Sequence, residues 1–174
     1  MSQFFGLTQH RSKQLLDTLP AVVFEYTVFP DGNRDFTYIS PRCEDILGVS
    51  QEILMRGILP MKSFIHPEDW ETFQEGVEES IATQTEWKWE GRIKNRNRII
   101  WIEAQAVPAR MEDGTVVCSG LISDITQRKH LEQLHADTEK RYRDLVEHLP
   151  LGIGIHVQGV LIYANKYAQR MMGA

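Results

Sequence analysis

EWKWEGRIKNRNRIIWIEAQAVPARMEDGTVVCSGLISDIT, residues Glu86 to Thr126, reads as three strands in succession. Trp87, Trp89 and Ile93 alternate with Lys88, Glu90, Arg92 and Lys94, the period of two that marks a strand with one buried and one wet face. The second run, Ile99 to Val107, has Trp101 at its middle and ends at Pro108, which cannot donate to a ladder and sits best at a strand end. Periodicity leaves open whether Trp101 or the pair Ile100 and Ile102 faces inward. Asp113-Gly114 is a strong hairpin signal, and the third run goes from Thr115 to Ser123. Asp124-Ile125-Thr126 closes the meander and releases the chain into a long polar helical stretch.

Upstream, Ser12 to Leu19 places Leu15, Leu16 and Leu19 on one helical face before Pro20. Ala21 to Phe29 is apolar and β-prone, Pro30-Asp31-Gly32-Asn33 is a turn cluster, and Asp35 to Ser40 completes a hairpin. Ser40-Pro41 opens a helix with proline in its first turn, and Gly48 closes it. Phe64-Ile65-His66-Pro67-Glu68-Asp69-Trp70 starts another, with two acids where the helix dipole favours them; this helix is expected to run through Phe73, Val77 and Ile81. The order is helix, two strands, helices, three strands.

With 174 residues the chain holds one full domain and part of another. Its 42% hydrophobic and 25% charged content is that of an ordinary globular protein. A net charge of -5 argues against nucleic acid as a partner, since affinity for phosphate backbones rests on many basic contacts; the basic side chains of Lys94, Arg96 and Arg98 read as a solvated hairpin tip. The two cysteines, Cys43 and Cys118, make no disulfide framework and suit a reducing cytoplasm. No apolar run is long enough to cross a bilayer and no signal-peptide plan opens the chain, so no membrane contact by this segment and a cytoplasmic location are expected, under a parent that is free to be membrane-anchored.

Glu90-Gly91-Arg92, Ile100-Trp101-Ile102, Asp113-Gly114, Gly120 and Asp124-Ile125-Thr126 followed by Gln127-Arg128-Lys129 stand in the order found in the C-terminal half of a PAS domain, and the stretch resembles one. One hairpin departs from the pattern: Asn95-Arg96-Asn97 replaces the usual Asp-Gly or Asn-Gly pair. Asparagine tolerates left-handed backbone angles, so the turn is expected to survive. The resemblance implies an α+β PAS fold over residues 12–126: a five-stranded antiparallel sheet of order 2-1-5-4-3, helices on one face, and an N-terminal helix on the other. Residues 1–11 are left as a tail.

The two ends of the chain repeat one another. Leu16-Asp17-Thr18-Leu19-Pro20 reappears as Val146-Glu147-His148-Leu149-Pro150, offset by 130, and Tyr38-Ile39-Ser40 as Tyr163-Ala164-Asn165, offset by 125. The difference is a shorter turn, Gln158-Gly159, and residues 149–174 read as the beginning of a second PAS-like domain. Between the copies, Ile125 to His148 forms a candidate continuous helix, with Asp124 and Gln127 resembling a capping box. Leu131, Leu134, Thr138, Tyr142, Leu145 and Leu149 share one broad face with a polar middle. One reading is a solvated connector over 127–148; the other, which the resemblance implies, is a dimeric coiled-coil lever.

Each candidate site competes with a plainer role. His66 before Pro67 reads as a helix cap rather than a ligand, and no histidine lies between Trp70 and Ile81, where haem-binding PAS domains carry theirs, so haem is disfavoured. His130 and His135 are five apart, not the four that would align them on a metal, and no metal site is expected. Cys43 in Pro-Arg-Cys-Glu-Asp does not match the Asn-Cys-Arg-Phe context of the light-sensing flavin relatives; a cysteinyl-flavin is disfavoured and a small buried thiol expected. His148 corresponds to Thr18 in the first copy and is read as structural. Glu90 and Glu103 could supply paired carboxylates but read more simply as surface ion-pair members. No nucleotide loop, cyclase motif or nucleophile elbow occurs, so the chain is read as non-catalytic.

From the resemblance, Asp124 and Thr126, with Arg128, are expected to couple the last strand to the exit helix. A ligand pocket is expected between the sheet and the helices Cys43–Gly48 and Trp70–Ile81, with candidates Phe24, Tyr26, Ile39, Ile46, Leu47, Phe73, Val77 and Trp89. The function so implied is a sensory domain that binds a small organic ligand or a partner and signals through its C-terminal helix to an output domain elsewhere, in a sensor histidine kinase or a cyclic-di-GMP enzyme. The alternative is a ligand-free dimerisation module. A homodimer is expected, because Ile153, Ile155, Val157, Leu161 and Ile162 have no domain of their own to bury them.

Overall fold

The computed structural model describes residues 19–57 and 61–173. The helix expected at Ser12–Leu19 lies, apart from Leu19, outside the described residues. The chain divides into two compact units, Met1–Thr126 and Gln127–Ala174.

In the first unit, strands β1 (Val22–Val28), β2 (Arg34–Ile39), β3 (Trp87–Asn95), β4 (Arg98–Arg110) and β5 (Val116–Asp124) form one antiparallel sheet of order β2-β1-β5-β4-β3. Helices α1 (Cys43–Ile46), α2 (Gln51–Met55) and α3 (Trp70–Thr83) follow the first hairpin. Short 3-10 turns at Met61–Ser63 and Pro67–Asp69 lead into α3. Phe24, Trp89, Ile93, Ile102, Ala104, Cys118 and Ile122 are buried on the sheet, and Ile46, Leu47, Trp70, Phe73 and Ile81 of the helical layer pack against them. The phase of β4 is thereby settled: Ile100, Ile102, Ala104 and Ala106 are buried, while Trp101 lies half-buried on the opposite face.

Two local expectations need correction. β4 does not stop before Pro108 but runs to Arg110, with Pro108 opposite Cys118. Trp101 turns its N–H and C=O toward Thr126 and Ile125, so Pro108, seven residues on, points the other way. There β3 has already ended, Trp87 being opposite Ala106, and the missing donor costs no ladder bond. In the β3–β4 hairpin it is Arg96, at φ 53°, that takes the left-handed conformation. Asn95 is buried instead, its Nδ2 donating to the Ile46 carbonyl at 2.8 Å. An asparagine that serves as a tie to α1 leaves the turn position to its neighbour.

In the second unit, helix α4 (Thr126–His148, whose first residue closes the first unit) is followed by the hairpin β6 (Gly154–Val157) and β7 (Val160–Ala164) and by α5 (Lys166–Met172). Gln158 and Gly159 both have positive φ, as a tight two-residue turn demands. The internal repeat is carried into hydrogen bonding. In the first unit Val23 N donates to Ser40 Oγ at 3.0 Å and Ser40 N to Val23 O at 2.8 Å. In the second, Ile153 N donates to Asn165 Oδ1 at 3.0 Å and Asn165 N to Ile153 O at 2.9 Å. Asn165 reaches further, its Nδ2 donating to the carbonyls of Val146 and Leu151, each at 2.8 Å.

Candidate functional site

The first unit holds a partly open cavity of about 280 Å³ between the sheet and the helical layer. Its floor is the inward phase of the sheet: Phe24 from β1, Trp89 and Ile93 from β3, Ile102, Ala104 and Ala106 from β4, Cys118 and Ile122 from β5. Its roof is Leu47, Leu54, Phe64, Trp70, Phe73, Val77 and Ile81. The small side chains of Ala104 and Ala106 continue the line of Ile100 and Ile102, and space remains where larger residues would fill it.

Aromatic rings shape the walls. Phe73 stands edge-on to both Trp87 (5.2 Å, 83°) and Trp89 (5.1 Å, 79°), the arrangement favoured by ring quadrupoles. Trp87 and Trp89 are 6.4 Å apart with planes 9° from parallel, and Trp70 stacks on Phe73 at 5.8 Å. Glycine permits this. The Trp89 indole lies so close over Gly91 that a Cβ there would overlap it, with Cε2 at 2.7 Å; a Cβ at Gly120 would meet Phe24 Cζ at 2.7 Å.

Polar groups gather at one end. Arg34 of β2 and Glu78 of α3 form a two-pronged ion pair, Nη1 to Oε1 at 2.5 Å and Nη2 to Oε2 at 3.1 Å. This pair holds the Glu78 carboxyl below its ordinary range. Tyr26, across β1–β5 from Cys118, lines the same end, and burial pushes both its hydroxyl and the Cys118 thiol up.

Of the eight sequence-derived candidates, Phe24, Tyr26, Leu47, Phe73, Val77 and Trp89 lie on the cavity wall. Ile39 and Ile46 do not. Ile39 is fully buried opposite Phe24 at the β1–β2 pairing, and the last turn of α1 carries Ile46 to the β3–β4 hairpin, where Asn95 takes its carbonyl. Trp70, Trp87 and Ile93 were readable as apolar but not as wall, and Arg34 and Glu78, 44 residues apart, carry no local signal of their pairing. Cys43 is buried away from the cavity wall, and burial pushes its thiol up to about 11, opposite to the shift an attacking thiolate needs. His66 caps the Pro67–Asp69 turn, its Nδ1 accepting from Glu68 N at 3.3 Å. Among the described residues no three His, Cys, Asp or Glu converge on a metal position.

One residue from the cavity floor, the sheet holds the start of α4. Trp101, next to Ile102, donates its N–H to Thr126 Oγ1 at 3.0 Å and accepts from Ile125 N at 2.9 Å. Asp124 Oδ1 accepts from Thr126 N at 2.8 Å; the capping contact is thus to Thr126 rather than to Gln127. Arg128 lies exposed in the first turn of α4.

A second tie joins the roof to Trp101. Asp69, just before α3, accepts from Arg92 N (2.8 Å), Nε (2.9 Å) and Nη2 (2.6 Å), while Glu68 accepts from Nη2 at 2.8 Å. These bonds hold the Asp69 carboxyl below its ordinary range and the Arg92 guanidinium above its own. Arg92 is opposite Trp101 in the β3–β4 register, its guanidinium 5.7 Å from the ring centroid.

Comparison with known proteins agrees with this architecture. A family model described as PAS fold matches residues 36–122, and another described as PAS domain matches residues 140–174. The chain belongs to the PAS family: it is a sensory PAS domain followed by the start of a second. The two-component sensor PprA of Pseudomonas aeruginosa is 28% identical over 165 residues, 90% of this chain and 17% of that protein. The methyl sulfide methyltransferase-associated sensor of Methanosarcina acetivorans is 24% identical over 174 residues, 94% of this chain and 16% of that protein. The chain thus spans about a sixth of the length of these curated relatives. Among solved structures, a sensory box histidine kinase/response regulator from Burkholderia thailandensis superposes with a TM-score of 0.58 at 21% identity, covering 78% of this chain and 99% of that one. A PAS domain from Colwellia psychrerythraea gives 0.55 at 23%, covering 70% and 98%. The N-terminal domain of a diguanylate cyclase with PAS/PAC sensor from Marinobacter aquaeolei gives 0.52 at 22%, covering 62% and 99%. These likenesses show the fold. Among the described residues no helix is long and apolar enough to cross a membrane.

Proposed function

We propose that residues 12–126 sense a small molecule held in the cavity and pass its effect through Asp124, Thr126 and Arg128 into α4. The output lies in a larger protein, a sensor histidine kinase or a cyclic-di-GMP enzyme, and this part works in the cytoplasm. The observation that carries the reading is adjacency on β4: Ile102 belongs to the cavity floor and Trp101 holds Ile125 and Thr126. A shift of the floor therefore acts on the helix start with no intervening loop. The Asp69–Arg92–Trp101 tie supports a second input from the roof to the same residue. Names of relatives that include a two-component sensor and a methyltransferase-associated sensor support the assignment to signalling.

Two chains associate in this reading. Leu131, Leu134, Tyr142 and Leu145 are each more than half exposed along α4, and Ile155, Val157, Val160 and Ile162 are at least half exposed on the β6–β7 hairpin. Such surfaces seek partners.

Native mass spectrometry on freshly purified protein is the test. A discrete excess mass on each chain supports the sensor, and a bare dimer with a cavity that accepts no probe supports the dimerisation module instead. In the parent protein, Asp124→Ala is expected to uncouple output from the stimulus, and unchanged coupling refutes the proposed route.

A further inference from the structure

The chemistry of the cavity wall selects among ligands, given that the cavity is a ligand site at all. On that premise we propose that it takes an uncharged, mainly aromatic molecule carrying one hydrogen-bonding group, seated with that group at Tyr26. Three observations lead there.

The first is the wall. Phe73 stands edge-on to Trp87 and Trp89 around the space, and nearly all the remaining surface is apolar, Phe24, Phe36, Phe64 and Trp70 among it. Such a surface gains most from a flat apolar body that completes an edge-to-face set. The volume of about 280 Å³, against roughly 30 Å³ for a water in the liquid, accommodates on the order of ten non-hydrogen atoms.

The second is charge. Among the described residues the wall's only ionic groups, Arg34 and Glu78, are bound to each other through both carboxylate oxygens. That pair is more than a third exposed and its end of the cavity is partly wet; among the apolar residues of the wall a ligand carboxylate or ammonium would be buried without a counter-ion, which is costly.

The third is the Tyr26 hydroxyl, which makes no hydrogen bond to any described residue and belongs to a half-buried side chain on the wall. A partly desolvated phenolic group gains from a partner, which water or a ligand can provide. A ligand hydroxyl, N–H or carbonyl supplies one.

The experiment titrates the full chain with 1-naphthol, naphthalene and 1-naphthoate while following the indole N–H signals of its four tryptophans by NMR. Trp70, Trp87 and Trp89 line the cavity and Trp101 does not. The expected result is that 1-naphthol moves the first three signals much more than the fourth and binds at least tenfold more tightly than 1-naphthoate. Tyr26→Phe is expected to weaken 1-naphthol about tenfold, the loss of one buried hydrogen bond, and to leave naphthalene unchanged. Equal or tighter binding of 1-naphthoate, or equal weakening of 1-naphthol and naphthalene by Tyr26→Phe, overturns the ligand class while the cavity remains a ligand site. If no probe moves the three signals in a chain whose tryptophan spectrum is that of a folded protein, the ligand-site reading fails and this inference with it.

Discussion

Gly91→Ala places a methyl group where the Trp89 ring now lies. The nearest ring carbons would sit inside any real contact distance and Cε2 at 2.7 Å, so the ring must lift off β3 by roughly 1.5–2 Å to bring its nearest carbons to an ordinary van der Waals separation. It has one direction to go. Behind it is the strand, beside it Phe73 at 5.1 Å, and in front of it the cavity. Overpacking a filled core typically costs about 1–3 kcal/mol; the empty space takes up part of the strain, which favours the lower half of that range. For a domain of this size about 1 kcal/mol corresponds to roughly 4–8 °C in Tm. All four tryptophans belong to the first unit, so fluorescence during urea or thermal unfolding reads that unit alone. The variant is expected to unfold earlier and to bind 1-naphthol more weakly, because the displaced ring occupies ligand volume. An unchanged midpoint together with unchanged binding would show that Trp89 does not rest on Gly91, and the account of the wall would be wrong.

Asp69→Asn removes a carboxylate held below its ordinary pKa by Arg92. Since that pKa is depressed, the stability it contributes is complete above the unfolded value near 3.8 and disappears as pH falls through the folded one; the variant is therefore expected to be less stable than wild type at pH 7, with the gap narrowing below about pH 4 in tryptophan-monitored melts. A gap independent of pH would count against the ion pair. Thr126→Val deletes the acceptor for the Trp101 N–H and is expected to cost about 1 kcal/mol and to speed hydrogen exchange at that amide, whereas Thr126→Ser preserves protection; equal protection in all three proteins would remove the clamp from the mechanism. Leu134→Asp, on the exposed apolar stripe of α4, is expected to reduce self-association in sedimentation experiments, and a wild-type chain that stays monomeric at high concentration would refute the dimer.

The sheet was legible because its outer strands have one wet face. Lys88, Glu90, Arg92 and Lys94 leave only one inward phase for β3, and a single turn signal at Asp113-Gly114 places β5. In β4 both phases begin apolar, Ile100 and Ile102 against Trp101, so alternation could not orient it; Ala104 and Ala106 show the answer only once a cavity needs small residues. The candidate site was partly visible for a related reason. Apolar residues on the helices and strands that face one another have to meet, which brought Phe24, Phe73, Val77 and Trp89 to the wall. What excluded Ile39 and Ile46 is depth and helix length rather than chemistry. The Arg34–Glu78 and Asp69–Arg92 pairs depend on where α3 sits over the sheet, a distance no local pattern encodes. Arg96 shows the limit at the smallest scale: a tertiary bond from Asn95 to Ile46 decided which residue turned left-handed.

Asn165 occupies the place that Ser40 has in the first unit, but its amide reaches one group further. Through Nδ2 it holds the carbonyls of Val146 and Leu151 while Oδ1 holds the amides of Ile153 and Ala168. One buried side chain thus fastens the last turn of α4, the segment after it, the approach to β6 and the first turn of α5. The passage from long helix to hairpin is consequently a stiff joint rather than a hinge. On the proposed route, motion arriving along α4 would not be absorbed by the few residues around Pro150, and the hairpin and α5 would move with the end of the helix.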